Sequence, residues 1–209
     1  MQSFNKASRI IITCNKRLAP FLQLEVEDLG FKITRAFSNG LEITGALNDC
    51  IILNLNLRCA SQVLYSLHSF ACDGPDALYE SALMLEWENI FAKDGYFSVT
   101  STVDHPTINN SLFANVKLKD AIVDRFRKIT NERPNSGPNL IDTVIHLFWR
   151  NEIAEIFIDT SGETLAKHGY RKIPGKAPML EALASATLLA TKWDKHSAFI
   201  NPMCGSGTV

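Results

Sequence analysis

Along this chain the spacing of apolar and polar positions changes several times, and each change marks a predicted element. Arg9 to Cys14 is a short apolar run that predicts a strand. From Leu18 to Leu29 the period lengthens, so that Phe21, Leu22, Val26 and Leu29 share one face of a helix and Gly30 follows as its stop signal. Ile33 to Phe37 and Leu41 to Thr44 predict two further strands around Ser38-Asn39-Gly40, where Asn-Gly is the dipeptide a tight hairpin favours. Ala46 to Leu57 predicts a second helix. Gln62 to Ala71 alternates as a strand, with Val63, Tyr65, Leu67 and Ser69 on one side and Leu64, Ser66, His68 and Phe70 on the other.

The order β-α-β-β-α-β is that of the ferredoxin-like split βαβ arrangement. A boundary is expected at Cys72-Asp73-Gly74-Pro75. Beyond it, Ala77 to Leu85 predicts a helix and Tyr96 to Val103 a strand. Leu112 to Ile129 predicts the longest helix, with Leu118, Ala121, Ile122, Phe126 and Ile129 on its apolar stripe. Asn131 to Pro138 reads as a loop. Leu140 to Trp149 and Ile153 to Ile158 form a predicted strand pair across Arg150-Asn151-Glu152, the first apolar enough for burial on both faces. His146, inside that apolar strand, is expected to be a satisfied structural histidine, and Trp149 and Trp193 to be packing residues. Glu163 to Lys176 is a polar connector. Pro178 is placed in the first turn of a helix continuing over Met179 to Ala190, and Ser197 to Ile200 as a short buried strand. The expected class is mixed α/β (α+β).

Length and composition change the picture modestly. The 209 residues, 46% hydrophobic, can bury one or two cores. Five cysteines without a C-x-x-C pair or clustered histidines support neither a disulfide framework nor a zinc site, so free thiols in a reducing cytoplasm are expected and no metal. No apolar run is long enough to span a bilayer. With a net charge of −1 the chain has no global attraction to nucleic acid, and contact must come from local patches. Asp73 to Asp104 is strongly acidic, with Lys93 as its only base, whereas Lys117 to Arg133 and Glu163 to Lys176 are basic.

Candidate chemistry gathers at the end of the sequence, in Asn201-Pro202-Met203-Cys204-Gly205-Ser206-Gly207-Thr208-Val209. Glycines following a predicted strand permit positive φ and close ligand approach. A phosphate-cradling P-loop would need Lys after its last glycine, and Thr208 follows Gly207 directly. An ordinary Gly-Ser-Gly turn is the plain alternative. No paired carboxylates, Ser-His-Asp set or metal cluster supports hydrolytic chemistry.

Asn201 to Thr208 resembles the first cofactor motif of class I S-adenosylmethionine-dependent methyltransferases, in the version carried by THUMP-containing RNA methyltransferases. His168-Gly169-Tyr170-Arg171 and Gly175-Lys176-Ala177-Pro178-Met179-Leu180-Glu181-Ala182-Leu183-Ala184 resemble the segment leading into the methyltransferase domain of bacterial large-subunit rRNA guanine exocyclic-amine methyltransferases. Leu55 to Ala60 and the middle of the chain resemble the THUMP module and its preceding ferredoxin-like domain. Gln62 and His168 stand where the family commonly shows Arg. The resemblance implies a ferredoxin-like domain over 1–73, a THUMP RNA-binding domain over 74–162, and a linker with the truncated start of a Rossmann-like methyltransferase domain over 163–209.

It also implies S-adenosylmethionine as cofactor, held at Asn201, Pro202, Cys204, Gly205, Ser206, Gly207 and Thr208, with Lys176 and Pro178 helping to close the pocket. RNA, foremost large-subunit rRNA, would be held by Arg58, Lys117, Arg125, Lys128, Lys167, His168, Arg171 and Lys172. Several of these residues admit a second reading. Asp124 lies at ion-pairing distance from Arg127 and Lys128 along a helix. Tyr170 either stacks a base or anchors the connector, Asn201 either orders the cofactor loop or caps a strand, and Cys204 fits a small space-filler better than a nucleophile. The family's catalytic motif, Asn or Asp before Pro-Pro and an aromatic, is absent. These residues alone are therefore expected to contain no catalytic residue, to bind cofactor weakly or not at all, and to transfer no methyl group. The alternatives are an RNA-positioning module without catalysis and an adenine-specific amino-methyltransferase acting on DNA.

Overall fold

A computed structural model describes residues 6–105, 111–162, 164–170, 178–205 and 207–209. Of the expected site residues, Arg171, Lys172, Lys176 and Ser206 lie outside the described residues. The chain forms two units: one holds Arg9–Val63 with Glu163–Val209, the other Leu64–Gly162 with the start of the chain to Ser8.

In the first unit, β1 (Ser8–Cys14), α1 (Ala19–Asp28), β2 (Ile33–Phe37), β3 (Gly40–Gly45), α2 (Leu47–Asn56) and the start of β4 (Ala60–Ala71) give the sheet order β2-β3-β1-β4. That is the expected ferredoxin-like order. Its core is aliphatic, with Ile10, Ile12, Leu22, Leu41, Ile43, Leu53 and Leu57 all buried. Gly30 ends α1 in the left-handed region at φ 84°, as a C-terminal glycine should. The hairpin forms with Phe37 opposite Gly40, so Ser38 and Asn39 are its loop. Gly40 is needed for a different reason from left-handed turn chemistry: a Cβ there would lie 2.5 Å from the Ile12 carbonyl oxygen on β1.

α5 (Glu181–Ala190) belongs to the same unit and packs against α1. It begins later than the sequence predicts, because Leu180 is extended (ψ 136°), so Pro178 precedes the helix instead of occupying its first turn. The predicted strand over Ser197 to Ile200 does not form. Asp194 Oδ1 instead accepts from the His196 and Ser197 amides at 2.9 and 2.8 Å, and Trp193 Nε1 donates to the Ser197 carbonyl at 2.8 Å. Local side-chain bonds of this kind compete with extended backbone. Ile200 is left 83% exposed, and Trp193, against the Phe199 ring, is a surface residue.

The second unit contains α3 (Pro75–Leu83), a 3-10 turn at Trp87–Asn89, β5 (Tyr96–Asp104), α4 (Ser111–Thr130), β6 (Asn135–Ser136), β7 (Thr143–Arg150) and β8 (Ile153–Asp159). With the second part of β4, its strands run β4-β8-β7-β5-β6; β5 is parallel to β6 and β7, and β8 is antiparallel to both β4 and β7. Trp87, Phe97, Leu118, Ile122, Phe126, Ile145, Leu147 and Trp149 share one buried core. Both indole N–H groups are satisfied, Trp87 on the Ala82 carbonyl (2.7 Å) and Trp149 on that of Cys72 (3.1 Å). β7 starts at Thr143, not Leu140, since Asp142 takes a left-handed φ of 52° and leaves Leu140 and Ile141 exposed. Among the described residues no helix is long and apolar enough to cross a membrane.

Candidate functional site

The glycine loop takes the conformation its composition predicts. Gly205 and Gly207 have φ of 55° and 71°, and a Cβ on either would meet no protein atom within 4 Å. Glycine is therefore required by backbone conformation, and the space beside both residues is open to a ligand. The loop is tied internally: Gly207 N donates to the Cys204 carbonyl (2.8 Å), Asn201 Oδ1 accepts from Met203 N (3.1 Å), and Asn201 Nδ2 reaches the Val209 carbonyl (3.3 Å). Asn201 thus orders the loop. Thr208 is buried, Pro202 and Cys204 are exposed, and Pro178 is exposed ahead of α5.

Three consecutive residues bring other elements to this loop. His168 Nε2 lies 2.9 Å from the Arg58 carbonyl. Gly169 N donates to Glu181 Oε2 at 2.8 Å. Tyr170 Oη donates to the Thr208 carbonyl at 2.8 Å. The Arg58 segment is itself held by α1, whose Glu25 carboxylate accepts from the Arg58 amide at 3.2 Å and the Cys59 amide at 2.9 Å. Burial and the neighbouring Glu25 carboxylate push the Cys59 thiol far above the usual range, so it is inert. Arg58 and Lys167 present exposed positions. Sequence patterning does not single out Glu25, and marks Glu181 only as an acid in the first turn of an Ala- and Leu-rich helix, inside the segment that resembles the lead-in to a methyltransferase domain.

The other expected RNA contacts lie on α4, in the second unit. Arg125 is engaged by Glu88 through two bonds, Nη2 to Oε1 at 2.5 Å and Nε to Oε2 at 3.2 Å. That pairing holds the Glu88 carboxyl below its ordinary range. Lys117 reaches Asp76 at 3.4 Å, and Arg127 reaches Asp124 at 3.6 Å with the predicted helical spacing. Lys128 is exposed. A recess of about 320 Å³ is lined by Tyr79, Lys117, Asp120, Val123, Asp124, Arg127 and Arg133. His146 is satisfied as expected, with Nδ1 2.7 Å from Thr100 Oγ1 and Nε2 3.3 Å from Thr102 Oγ1. Among the described residues no group of His, Cys, Asp or Glu could hold a metal ion.

Three family matches cover most of the chain in order: an RlmL ferredoxin-like domain over residues 9–64, a THUMP domain over 74–159, and an RMKL-like methyltransferase domain over 168–209. The chain carries a THUMP domain between a ferredoxin-like domain and the start of a methyltransferase domain. A curated relative named ribosomal RNA large subunit methyltransferase K/L, from Psychromonas ingrahamii, is 36% identical over 93% of this chain and 26% of its own length. The chain thus spans about a quarter of that relative. Among solved structures, a predicted N6-adenine-specific DNA methylase from Listeria monocytogenes superposes with a TM-score of 0.82 at 28% identity, covering 97% of this chain and 53% of that one. SMU.472, described as a methyltransferase and complexed with SAH, gives 0.81 at 25% identity, over 97% of this chain and 54% of that one. In this THUMP-containing chain the methyltransferase match therefore begins at the residue whose side chain docks on Arg58 and runs through the glycine loop.

Proposed function

We propose that this chain is the RNA-binding front part of an S-adenosylmethionine-dependent enzyme that methylates the exocyclic amine of guanine in large-subunit rRNA. One observation carries the reading: the open, positive-φ glycine loop is bonded to the connector that the chain shares with methyltransferase domains, in a molecule that also holds a THUMP domain. The SAH in a neighbour of similar fold and the rRNA in a relative's name support cofactor and substrate respectively. When bound, S-adenosylmethionine supplies an electrophilic methyl group on a sulfonium. Asn201 and the Gly205 to Gly207 backbone would hold it, with Pro202, Cys204, Ser206, Thr208, Lys176 and Pro178 around it. Lys128, Lys167, Arg171, Lys172 and the side chain of Arg58 are the cations proposed to meet RNA phosphate, with the His168 ring beside them; Lys117 and Arg125 join them only by giving up Asp76 and Glu88. The five thiols and the absence of a membrane-crossing helix among the described residues fit a cytoplasmic enzyme.

Transfer is proposed to belong to the full-length protein and to be missing from these residues alone. Labelled cofactor incubated with the full-length protein and protein-free 23S rRNA, followed by nucleoside digestion, is expected to label an N2-methylguanosine; label in adenosine or none in rRNA overturns the assignment. A second reading, an amino-methylase acting on adenine in DNA, is favoured by the name of the Listeria neighbour. The THUMP domain weighs for RNA, and preferential labelling of duplex DNA in the same assay would reverse that weighting.

A further inference from the structure

We infer that residues 168–170 form a three-point clasp that sets the conformation of the glycine loop for its cofactor, with Tyr170 and Glu181 as positioning residues. The inference rests on the proposed cofactor site and deepens it. Each of the three residues bonds a different element of one unit: His168 to the Arg58 carbonyl, Gly169 to Glu181 at the start of α5, and Tyr170 to the Thr208 carbonyl, at 2.9, 2.8 and 2.8 Å. Glu181 and Thr208 are only 4% and 7% exposed while Gly169 and Tyr170 are exposed, so each bond is part-buried and joins the surface connector to a buried acceptor residue.

The clasp is anchored at both ends. Glu25 on α1 fixes the Arg58-Cys59 backbone that receives His168, while α5, which carries Glu181, packs against the same α1. The contacts therefore close a ring of elements, and Tyr170 extends from that ring to the loop. Gly169 is required for the geometry: its φ of 72° directs the amide to Glu181, and a Cβ there would meet no protein atom within 4 Å, so the need is conformational. Two of the three bonds end on backbone carbonyls. The device consequently depends on His168, Tyr170 and Glu181 but not on the side chains of Arg58 or Thr208.

A loop held in this way enters binding already ordered, which lowers the entropic cost of taking up the cofactor. The test uses the full-length protein and calorimetric titration with S-adenosylmethionine and SAH. Tyr170→Phe removes one hydrogen bond and keeps the ring; it is expected to weaken binding about three- to tenfold, the effect of one such bond. Hydrogen exchange at the Gly207 amide should accelerate in the cofactor-free variant, with Tm and RNA affinity unchanged. Glu181→Ala should weaken cofactor binding similarly, whereas Glu181→Gln, whose amide oxygen still accepts from Gly169, should restore most of it. Cofactor affinity within twofold of the parent in both Tyr170→Phe and Glu181→Ala overturns the clasp and leaves the cofactor reading standing. Lost RNA affinity with intact cofactor affinity in Tyr170→Phe also overturns it, and no cofactor binding by the parent protein overturns both.

Discussion

His146 shows how a single residue can be legible in kind while its consequence is not. Its place in an apolar strand marks it as structural, but only the register, with Thr100 opposite it across β5 and β7, supplies the two hydroxyls that receive its ring. Partial burial among its neighbours disfavours the charged imidazole, lowering its pKa from 6.5 to about 4. The unfolded chain takes up a proton near pH 6.5 and the folded chain does not. Stability from this group is therefore complete above pH 6.5 and is lost as pH falls from there toward 4. Between pH 7 and pH 5 the loss should be about 2 kcal/mol. Urea unfolding followed by fluorescence of the buried Trp87 and Trp149 is expected to show that drop, and His146→Gln, which still hydrogen-bonds but does not titrate, to remove most of it. An equal pH dependence in parent and variant counts against a neutral, half-buried imidazole.

At the scale of elements, hydrophobic period located β1, β3, β4, α1, α2, β5, α4 and β8 closely, because each turns apolar side chains to a core; β2, none of whose residues is buried, was marked by the Asn39-Gly40 turn beside it. The misses have local causes. The Trp87–Asn89 turn and the two-residue β6 are too short to carry a period, and the start of β7 is set by the left-handed Asp142. Near the C-terminus, Asp194 and Trp193 bond the backbone that was expected to extend as a strand. In the hairpin, Asn39-Gly40 marked the right turn, but the glycine answers to the next strand. Gly40→Ala would put a methyl group 2.5 Å from the Ile12 carbonyl oxygen, a backbone atom of the sheet that can yield only if β1 shifts. The expected cost is about 1–3 kcal/mol, as for an overpacked core. Thermal unfolding should show it as a lower Tm, whereas Gly30→Ala, strained at its φ of 84° but in open space, should leave the β1–β3 contact intact. A Gly40→Ala variant as stable as the parent would mean that β1 and β3 are not packed this closely.

For the whole molecule, charge placement decides what the sum conceals. A net charge of −1 predicts no binding to RNA by bulk attraction, so any affinity must come from cations that the fold leaves without an intramolecular acid. Sequence alone could not separate these from the paired ones: the Asp124 to Arg127 spacing was readable along one helix, but Glu88 and Arg125 are brought together only by the tertiary fold. That difference orders the cations. Lys128 and Lys167 are exposed, whereas Arg125 is held bidentately by Glu88 and supports the packing of α4 on the 3-10 turn. In filter-binding titrations with rRNA fragments from low to moderate salt, log K should fall linearly with log salt. Lys167→Ala or Lys128→Ala should each reduce the magnitude of that slope by about one unit. Arg125→Ala should leave the slope unchanged while lowering Tm, because the charge it removes is already neutralised and the carboxylate it abandons is three-quarters buried. If Arg125→Ala flattens the slope and Lys128→Ala does not, the Glu88 pair opens on RNA, and Arg125 ranks ahead of Lys128 as a phosphate contact.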